Sequence, residues 1–231
     1  MRGRVLITGA SGALGGSVVR RFLAAGSRVL AVEGHHGGSA GLADLAPPDR
    51  LAVRQVDLTS TAAVERLFAE DLEGEAPPAV AHLAGGFRFA RLRDLTDDDW
   101  SFLMQVNLET TFRVARECAR CFERAGGGAL VVVASPAALL GEAGMAGYAA
   151  SKAGVLRLVE SLARETAPFG GRANAVLPGT MDTPANRRAM PDVDPAHWAT
   201  TDSVAEVVHF LTTPAAAAIN GAAIRVPGPA L

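Results

Sequence analysis

The chain has 231 residues, 49% hydrophobic and 20% charged, which excludes a disordered polypeptide and supplies enough apolar side chains for one large core. A formal net charge of −2 and a pI near 6.2 argue against a nucleic acid or an anionic membrane surface as the main partner. No apolar run reaches the ~18 residues of a membrane span, Val5-Leu6-Ile7 is too short for a signal-peptide core, and two cysteines make no disulfide framework. The expectation is one domain over residues 1–231, placed in the cytoplasm.

In chain order, a strand is expected at Arg4–Thr8, followed by a Gly-rich turn and a helix with the stripe Leu14, Val18, Phe22. A second strand, Arg28–Glu33, leads into a Gly-rich loop at His35–Gly41. The third strand, Leu51–Val56, precedes the stripe Val64, Leu67, Phe68, Leu72. The fourth, Ala79–Leu83, precedes a helical pattern from Asp97 to Glu123 that fits one or two consecutive helices. Ala129–Ser135 reads as a strand, and Val155, Leu158, Val159, Leu162 as the stripe of the next helix. Arg172–Leu177 is the sixth strand, Pro184–Pro195 a long irregular segment, and Val204, Val207, Val208, Leu211 a last helical stripe before the strand Ala223–Val226. Strands that are continuous apolar runs and alternate with helices imply βαβ units. The fold class is therefore α/β, a single Rossmann-type doubly wound parallel sheet of about seven strands with helices on both faces.

Chemistry concentrates at strand ends. The turn Thr8-Gly9-Ala10-Ser11-Gly12-Ala13-Leu14-Gly15 lies between a strand and an amphipathic helix, where glycines let the backbone approach a pyrophosphate and the helix offers free N–H groups; the alternative is a tight turn with no ligand. Glu33, ending the second strand, can accept hydrogen bonds from the adenosine ribose hydroxyls and repel a 2′-phosphate, or be a solvated strand end. This favours NAD(H), with NADP(H) the alternative because Arg28 and His35 are near. Twenty-one of the 22 basic residues are arginine, and the one lysine, Lys152, stands four residues after the one tyrosine, Tyr148. At i and i+4 on a helix they share a face, and an ammonium beside a phenol favours the phenolate. Such a tyrosine can exchange a proton with an oxygen at a reacting carbon. Ser135 can hydrogen-bond the same oxygen as charge develops, and Asn107 can hold a water linking Lys152 to solvent. Lys152 can also reach the nicotinamide ribose. Cys118-Ala119-Arg120-Cys121 lies inside a helical pattern and reads as packing, His35-His36 as a loop rather than a metal site, and Arg187-Arg188 as either a substrate mouth or a solvated pair.

These features resemble the short-chain dehydrogenase/reductase family over nearly the whole chain. Asp57-Leu58 stands where the family binds adenine, and its Asn-Asn-Ala-Gly segment is His82-Leu83-Ala84-Gly85 here. Asn107 lies in Gln105-Val106-Asn107-Leu108, Ser135 is thirteen residues before Tyr148, and Tyr148-Ala149-Ala150-Ser151-Lys152 is the family's Tyr-x-x-x-Lys signature. Pro178-Gly179-Thr180-Met181-Asp182-Thr183 resembles its nicotinamide loop. The resemblance implies a catalytic set of Asn107, Ser135, Tyr148 and Lys152, with no metal. It implies a cofactor site of Gly9, Ser11, Gly12, Ala13, Leu14, Gly15, Glu33, Asp57, Leu58, Ala84, Gly85, Tyr148, Lys152, Pro178, Gly179 and Thr183.

The glycine spacing departs from the family's commonest pattern. That spacing, Gly144–Tyr148 and Leu177–Pro191 resemble the dihydropteridine-reductase branch, which works without the serine and asparagine present here. The expected activity is hydride transfer between a nicotinamide cofactor and a small, mainly apolar carbonyl or alcohol. The alternatives are a pterin-type C=N reductase and a non-catalytic dinucleotide-binding regulator. Phe87, Phe89, Ala137, Leu139, Leu140, Met145, Met181 and Trp198 are expected to wall the substrate pocket. Phe112, Phe122, Val155 and Leu162 suggest helices apolar on more than one face, hence a homodimer or homotetramer, and the resemblance implies a four-helix interface.

Overall fold

The computed structural model describes residues 4–34, 41–72 and 77–229. Seven strands form one parallel sheet: β1 (Arg4–Thr8), β2 (Arg28–Glu33), β3 (Leu51–Gln55), β4 (Ala79–His82), β5 (Gly128–Val133), β6 (Gly171–Pro178) and a last strand, Ala223–Val226. The order is β3-β2-β1-β4-β5-β6 and then the last strand. Growth of the sheet therefore reverses between β1 and β4, which opens a crevice at the carboxyl ends of those strands.

Alternation along each strand divides the core into two layers. Leu6 and Leu30 face the helices α4 (Thr110–Ala125) and α5 (Ala146–Thr166), packing with Val114, Cys118, Phe122, Val155 and Val159. Val5, Ile7, Val29 and Ala31 face α1 (Ala13–Ala24) and α7 (Thr201–Thr212), packing with Val18, Phe22, Val204 and Val208. Both cysteines are free and buried in the first layer, as the helical reading of that motif requires. Arg172 on β6 fastens the second layer: its guanidinium donates to the carbonyls of Leu211, Ala216, Ile219 and Thr213.

The helical run after β4 is broken into three parts. Helix α3 (Asp97–Leu103) starts at Thr96, whose hydroxyl accepts from the Asp99 N–H, and carries Asp97, Asp98 and Asp99 at the positive end of its dipole. A π-helical turn, Met104–Glu109, then leads into α4. Helix α2 (Thr61–Arg66) likewise runs on into a π-turn at Leu67–Asp71.

Two expectations need correction. β5 stops at Val133, so Ser135 is no longer in the strand; it starts a 3₁₀ turn, Pro136–Ala138, and its hydroxyl accepts from the Ala137 N–H. The segment Pro184–Pro195 is not irregular throughout. Helix α6 (Pro184–Ala189) forms because Thr183 caps it and Pro184 supplies a preset φ at the first turn. Just before it, β7 (Met181–Asp182) pairs with β8 (Ala199–Thr200) in a small second sheet; the Ala223–Val226 strand is β9. His35-His36 and most of the His35–Gly41 loop lie outside the described residues.

Candidate active site

The crevice between β1 and β4 is built from backbone first. Gly9 turns the chain at φ +69°, and a Cβ there would lie 2.7 Å from the Ala84 nitrogen. A Cβ at Gly15 would overlap the carbonyl oxygens of Gly9 and Ala10. Both positions are thus closed to any side chain. Gly12 begins α1 and no side chain caps it, so the first N–H groups of that helix face outward with the positive dipole end. A cleft of about 250 Å³ lies against this turn, lined by Ser11, Gly12, Ala13, Arg20, Leu42 and others. Leu14 is buried behind it. A larger cleft of about 380 Å³ sits on the C-terminal half of α5, beside Asn220, and holds none of the expected site residues.

Glu33 is 1% exposed at the end of β2, and its Oε1 has no hydrogen-bond partner among the described residues. Burial raises its pKa above the ordinary carboxylate value. Asp57 follows β3, with Oδ1 accepting from the Thr59 N–H (2.8 Å) and hydroxyl (2.6 Å), and Leu58 is buried beside it.

The side chains expected to do chemistry meet beyond β4 and β5. Lys152, 5% exposed, donates from Nζ to the Val133 carbonyl (3.0 Å) and lies 5.9 Å from the centre of the Tyr148 ring. The Ser135 hydroxyl is close enough to Tyr148 to oppose the rise in its pKa, and the Tyr148 ring stacks edge-on to Phe87 at 4.9 Å. Asn107, fully buried on the π-turn, accepts from the Gly86 N–H and donates to Gly86 O and to Ser151 Oγ. Ser151 in turn donates to the Tyr148 carbonyl. A Cβ at Gly85 would lie 2.8 Å from Asn107 Oδ1 and 3.2 Å from Lys152 Nζ, which places Ala84-Gly85 at the same floor. Burial pushes the Lys152 pKa down to about 8.

Two expectations change here, and a third is filled in. The Tyr148 pKa is raised, not lowered: burial outweighs the opposing effect of the Ser135 hydroxyl. The Asn107 amide spends both donors on protein atoms, so its side chain organises the Gly86 backbone rather than standing free for a water. Arg187, read as lining a mouth or as solvated, is exposed and makes a forked pair with Asp182.

The third wall follows β6. Gly179 donates to Val226 O, Pro178 ends the strand, and Thr183 is buried as the cap of α6. Of the apolar residues expected at the mouth, Phe87, Phe89, Leu139 and Leu140 are exposed, Met145 and Met181 are half-buried, and Ala137 and Trp198 are inside. Phe122, Val155 and Leu162 are buried within the chain's own core, leaving Phe112 as the exposed member of that group. Sequence reasoning did not single out Arg20, which lines the cleft, or a task for His82; the latter's place in the family's Asn-Asn-Ala-Gly segment was the available signal.

Among the described residues no helix is long and apolar enough to cross a membrane and no cluster of metal-ligating side chains occurs. Residues 3–194 match the family model described as short chain dehydrogenase. The chain is 32% identical to mouse (Mus musculus) (3R)-3-hydroxyacyl-CoA dehydrogenase, over 96% of this chain and 94% of that protein. It is 32% identical to the 3-oxoacyl-(acyl-carrier-protein) reductase MabA of Mycobacterium bovis, over 97% and 91%. A crystal structure of an oxidoreductase of the short chain dehydrogenase/reductase family from Burkholderia thailandensis superposes with a TM-score of 0.88 at 34% identity, covering 99% of this chain and 92% of that one. With Tyr148, Lys152 and the glycine turn in one crevice, the chain belongs to the short-chain dehydrogenase family and is an NAD(P)-dependent oxidoreductase.

Proposed function

We propose that this enzyme interconverts a carbonyl and a secondary alcohol on a mainly apolar substrate, using NAD(H). The observation that carries this reading is the Tyr148–Ser135 hydroxyl pair with Lys152 behind it. A bound nicotinamide supplies or accepts the hydride. The residues fit such a cofactor. The turn at Gly9 and Gly15 admits backbone contact only, the start of α1 favours a pyrophosphate, and the unpartnered Glu33 oxygen is an acceptor for ribose hydroxyls. Ser11, Gly12, Ala13, Leu14, Asp57, Leu58, Ala84, Gly85, Pro178, Gly179 and Thr183 complete the cradle.

In the reducing direction the raised Tyr148 pKa keeps the phenol protonated, so it can give its proton to the substrate oxygen. Ser135 donates to that oxygen as negative charge grows on it. Lys152, protonated at neutral pH, holds ribose hydroxyls and stabilises the phenolate left behind. Asn107 fixes the backbone that these groups stand on. The names of the relatives, which act on 3-hydroxyacyl-CoA and 3-oxoacyl-(acyl-carrier-protein), make 3-oxoacyl thioesters the first carbonyls to assay. Phe87, Phe89, Leu139 and Leu140 are suited to an acyl chain. Phe112, exposed on α4, supports a homodimer or homotetramer, and the cytoplasm is the proposed location.

The test is a substrate panel of ketones, aldehydes, 3-oxoacyl thioesters and quinonoid dihydropterin, read at the nicotinamide absorbance band. Tyr148→Phe and Ser135→Ala should each cut carbonyl reduction by ~10²-fold. Pterin turnover indifferent to Ser135→Ala, with no carbonyl reduced, would replace this reading with a C=N reductase.

A further inference from the structure

His82 is a buried ionisable side chain beside Lys152 with no part in the chemistry above. It ends β4 and is 1% exposed. Its Nδ1 lies 2.8 Å from Thr8 Oγ1 on β1, and its Nε2 3.4 Å from Thr110 Oγ1 at the start of α4. The protons can be assigned by elimination. Thr110 has one hydroxyl proton and gives it to the Val106 carbonyl at 2.7 Å. Its oxygen must therefore accept from Nε2–H, which leaves Nδ1 to accept from Thr8. The ring is neutral, since burial and the positive charge of Lys152 both oppose a second proton, and its pKa is lowered to about 3.

The partners of this ring are the supports of the π-turn. A π-turn releases carbonyls from the ordinary helical pattern. Thr110 holds that of Val106, and Thr111 holds that of Asn107 at 2.6 Å. The same turn aims the Asn107 amide at Gly86 and Ser151, and Ser151 holds the first turn of α5, which carries Tyr148 and Lys152. An unbroken chain of hydrogen bonds thus runs from the nucleotide turn at Thr8 through His82 and Thr110 to the Met104–Glu109 turn. We propose that His82 is a positioning residue: through Thr110 it fixes the Asn107 turn, and with it the α5 residues, to the end of β4, whose backbone already pairs with the cofactor strand β1. This rests on the catalytic roles proposed for Tyr148 and Lys152.

Two substitutions separate the two arms of the ring. An asparagine amide reaches the Nδ1 position and not Nε2, so His82→Asn keeps the Thr8 link and loses the Thr110 link. A glutamine amide reaches the Nε2 position, so His82→Gln keeps the Thr110 link. Thr110→Val removes the hydroxyl and Thr110→Ser restores it.

Steady-state kinetics, NADH titration and melting should be measured on all four and on the His82→Asn/Thr110→Val double variant. His82→Asn and Thr110→Val should each lower kcat by ~5–10-fold, the scale of a small misplacement of reacting groups. KM for NADH should change less than ~2-fold, because the glycine turn is untouched. Thr110→Ser and His82→Gln should stay near wild type, and the double variant should be no slower than the slower single one. Unchanged kcat in His82→Asn, or losses that multiply in the double variant, would overturn the proposal. Equal losses in His82→Asn and His82→Gln would also overturn it, because the Thr110 link would not be the cause. Failure of the catalytic reading itself shows separately, as normal turnover in Tyr148→Phe.

Discussion

Replacing Glu33 by glutamine should move stability and cofactor affinity in opposite directions. In the unliganded chain the carboxylate is 1% exposed and its Oε1 has no partner among the described residues. A buried unsatisfied polar group costs about 1–3 kcal/mol. Glutamine keeps the shape and removes the charge but still leaves polar atoms short of partners, so the net gain is about 1 kcal/mol, or roughly 2–4 °C in melting temperature for a chain of this size. The gain depends on pH. A carboxyl group whose folded pKa is raised is most favourable to folding below its unfolded value, near 4.5, and loses stability as pH rises through the folded pKa. The variant's advantage should therefore exist at neutral pH and vanish below that value.

Cofactor binding reverses the sign. Hydrogen bonds to a charged acceptor contribute about 1.5–3 kcal/mol, and the amide oxygen cannot replace both carboxylate oxygens as an acceptor. NADH should bind about 10–100-fold more weakly to Glu33→Gln, and NADPH should bind better because the repulsion is gone. Calorimetric titration with NADH and NADPH, beside a melting scan of the unliganded protein, reads both effects. A lower melting temperature with unchanged NADH affinity would show that Glu33 serves the fold alone, and tighter binding of NADPH than NADH by the unaltered chain would refute the assignment.

Other consequences are open to direct measurement. Arg172→Lys replaces a planar fork with a point charge and strands carbonyls of Leu211, Thr213, Ala216 and Ile219; a loss of about 3 kcal/mol, roughly 6–12 °C in melting temperature, is expected without a change in KM. Lys152 loses its proton near pH 8 in the unliganded enzyme, so NADH affinity should fall as pH rises through that value, and Lys152→Met should be weaker throughout and flat across it. His82 binds a proton in the unfolded chain below its ordinary value of 6.5 and in the folded one only near 3. Its contribution to stability is thus present above pH 6.5 and is lost as pH falls, by about 1.4 kcal/mol per pH unit within that window, and His82→Asn should flatten the slope of stability against pH there.

The sheet was legible because its signals are local and repeated. Each apolar run is four to eight residues long, each is followed by a turn, and each reappears within two residues of its expected ends. Leu14, Val18 and Phe22 on one stripe and Val155, Val159 and Leu162 on another both proved to be core. Ser135 slipped out of its strand because Pro136 cannot continue a ladder, so the hydroxyl caps a 3₁₀ turn instead. Helix α6 was missed because six residues carry too little periodicity to register, although Thr183-Pro184 is a legible start. The Tyr148 pKa went the wrong way because sequence shows which charge is near but not how deeply the phenol is buried; desolvation outweighs the groups that would lower it. The apolar-face argument for assembly weakened for a similar reason. Spacing tells that Phe122, Val155 and Leu162 are apolar on different sides of their helices, while the fold covers those sides with its own sheet.

The buried polar groups show how the fold turns into a site. Thr8, His82, Asn107, Thr110, Thr111, Ser151 and Lys152 are all nearly inaccessible, and all lie around the carboxyl ends of β1, β4 and β5. Buried polar atoms are tolerable only when they are hydrogen-bonded, and these satisfy one another: Thr8 to His82, His82 to Thr110, Asn107 to Ser151, Lys152 to Val133. Such a network holds its members in one geometry, because moving any of them leaves another unpaired in a low-dielectric interior. Tyr148 and Ser135, the two groups proposed to meet a substrate, stand at its open edge and are only half-buried. Glu33 is the exception that completes the pattern. It is the one buried carboxylate among the described residues with an oxygen left unpaired, and it stands at the end of β2, beyond the glycine turn. The interior is closed where the proposed chemistry needs rigidity, and the acceptor it leaves open is the one to which the proposed function assigns the ribose hydroxyls of the nucleotide.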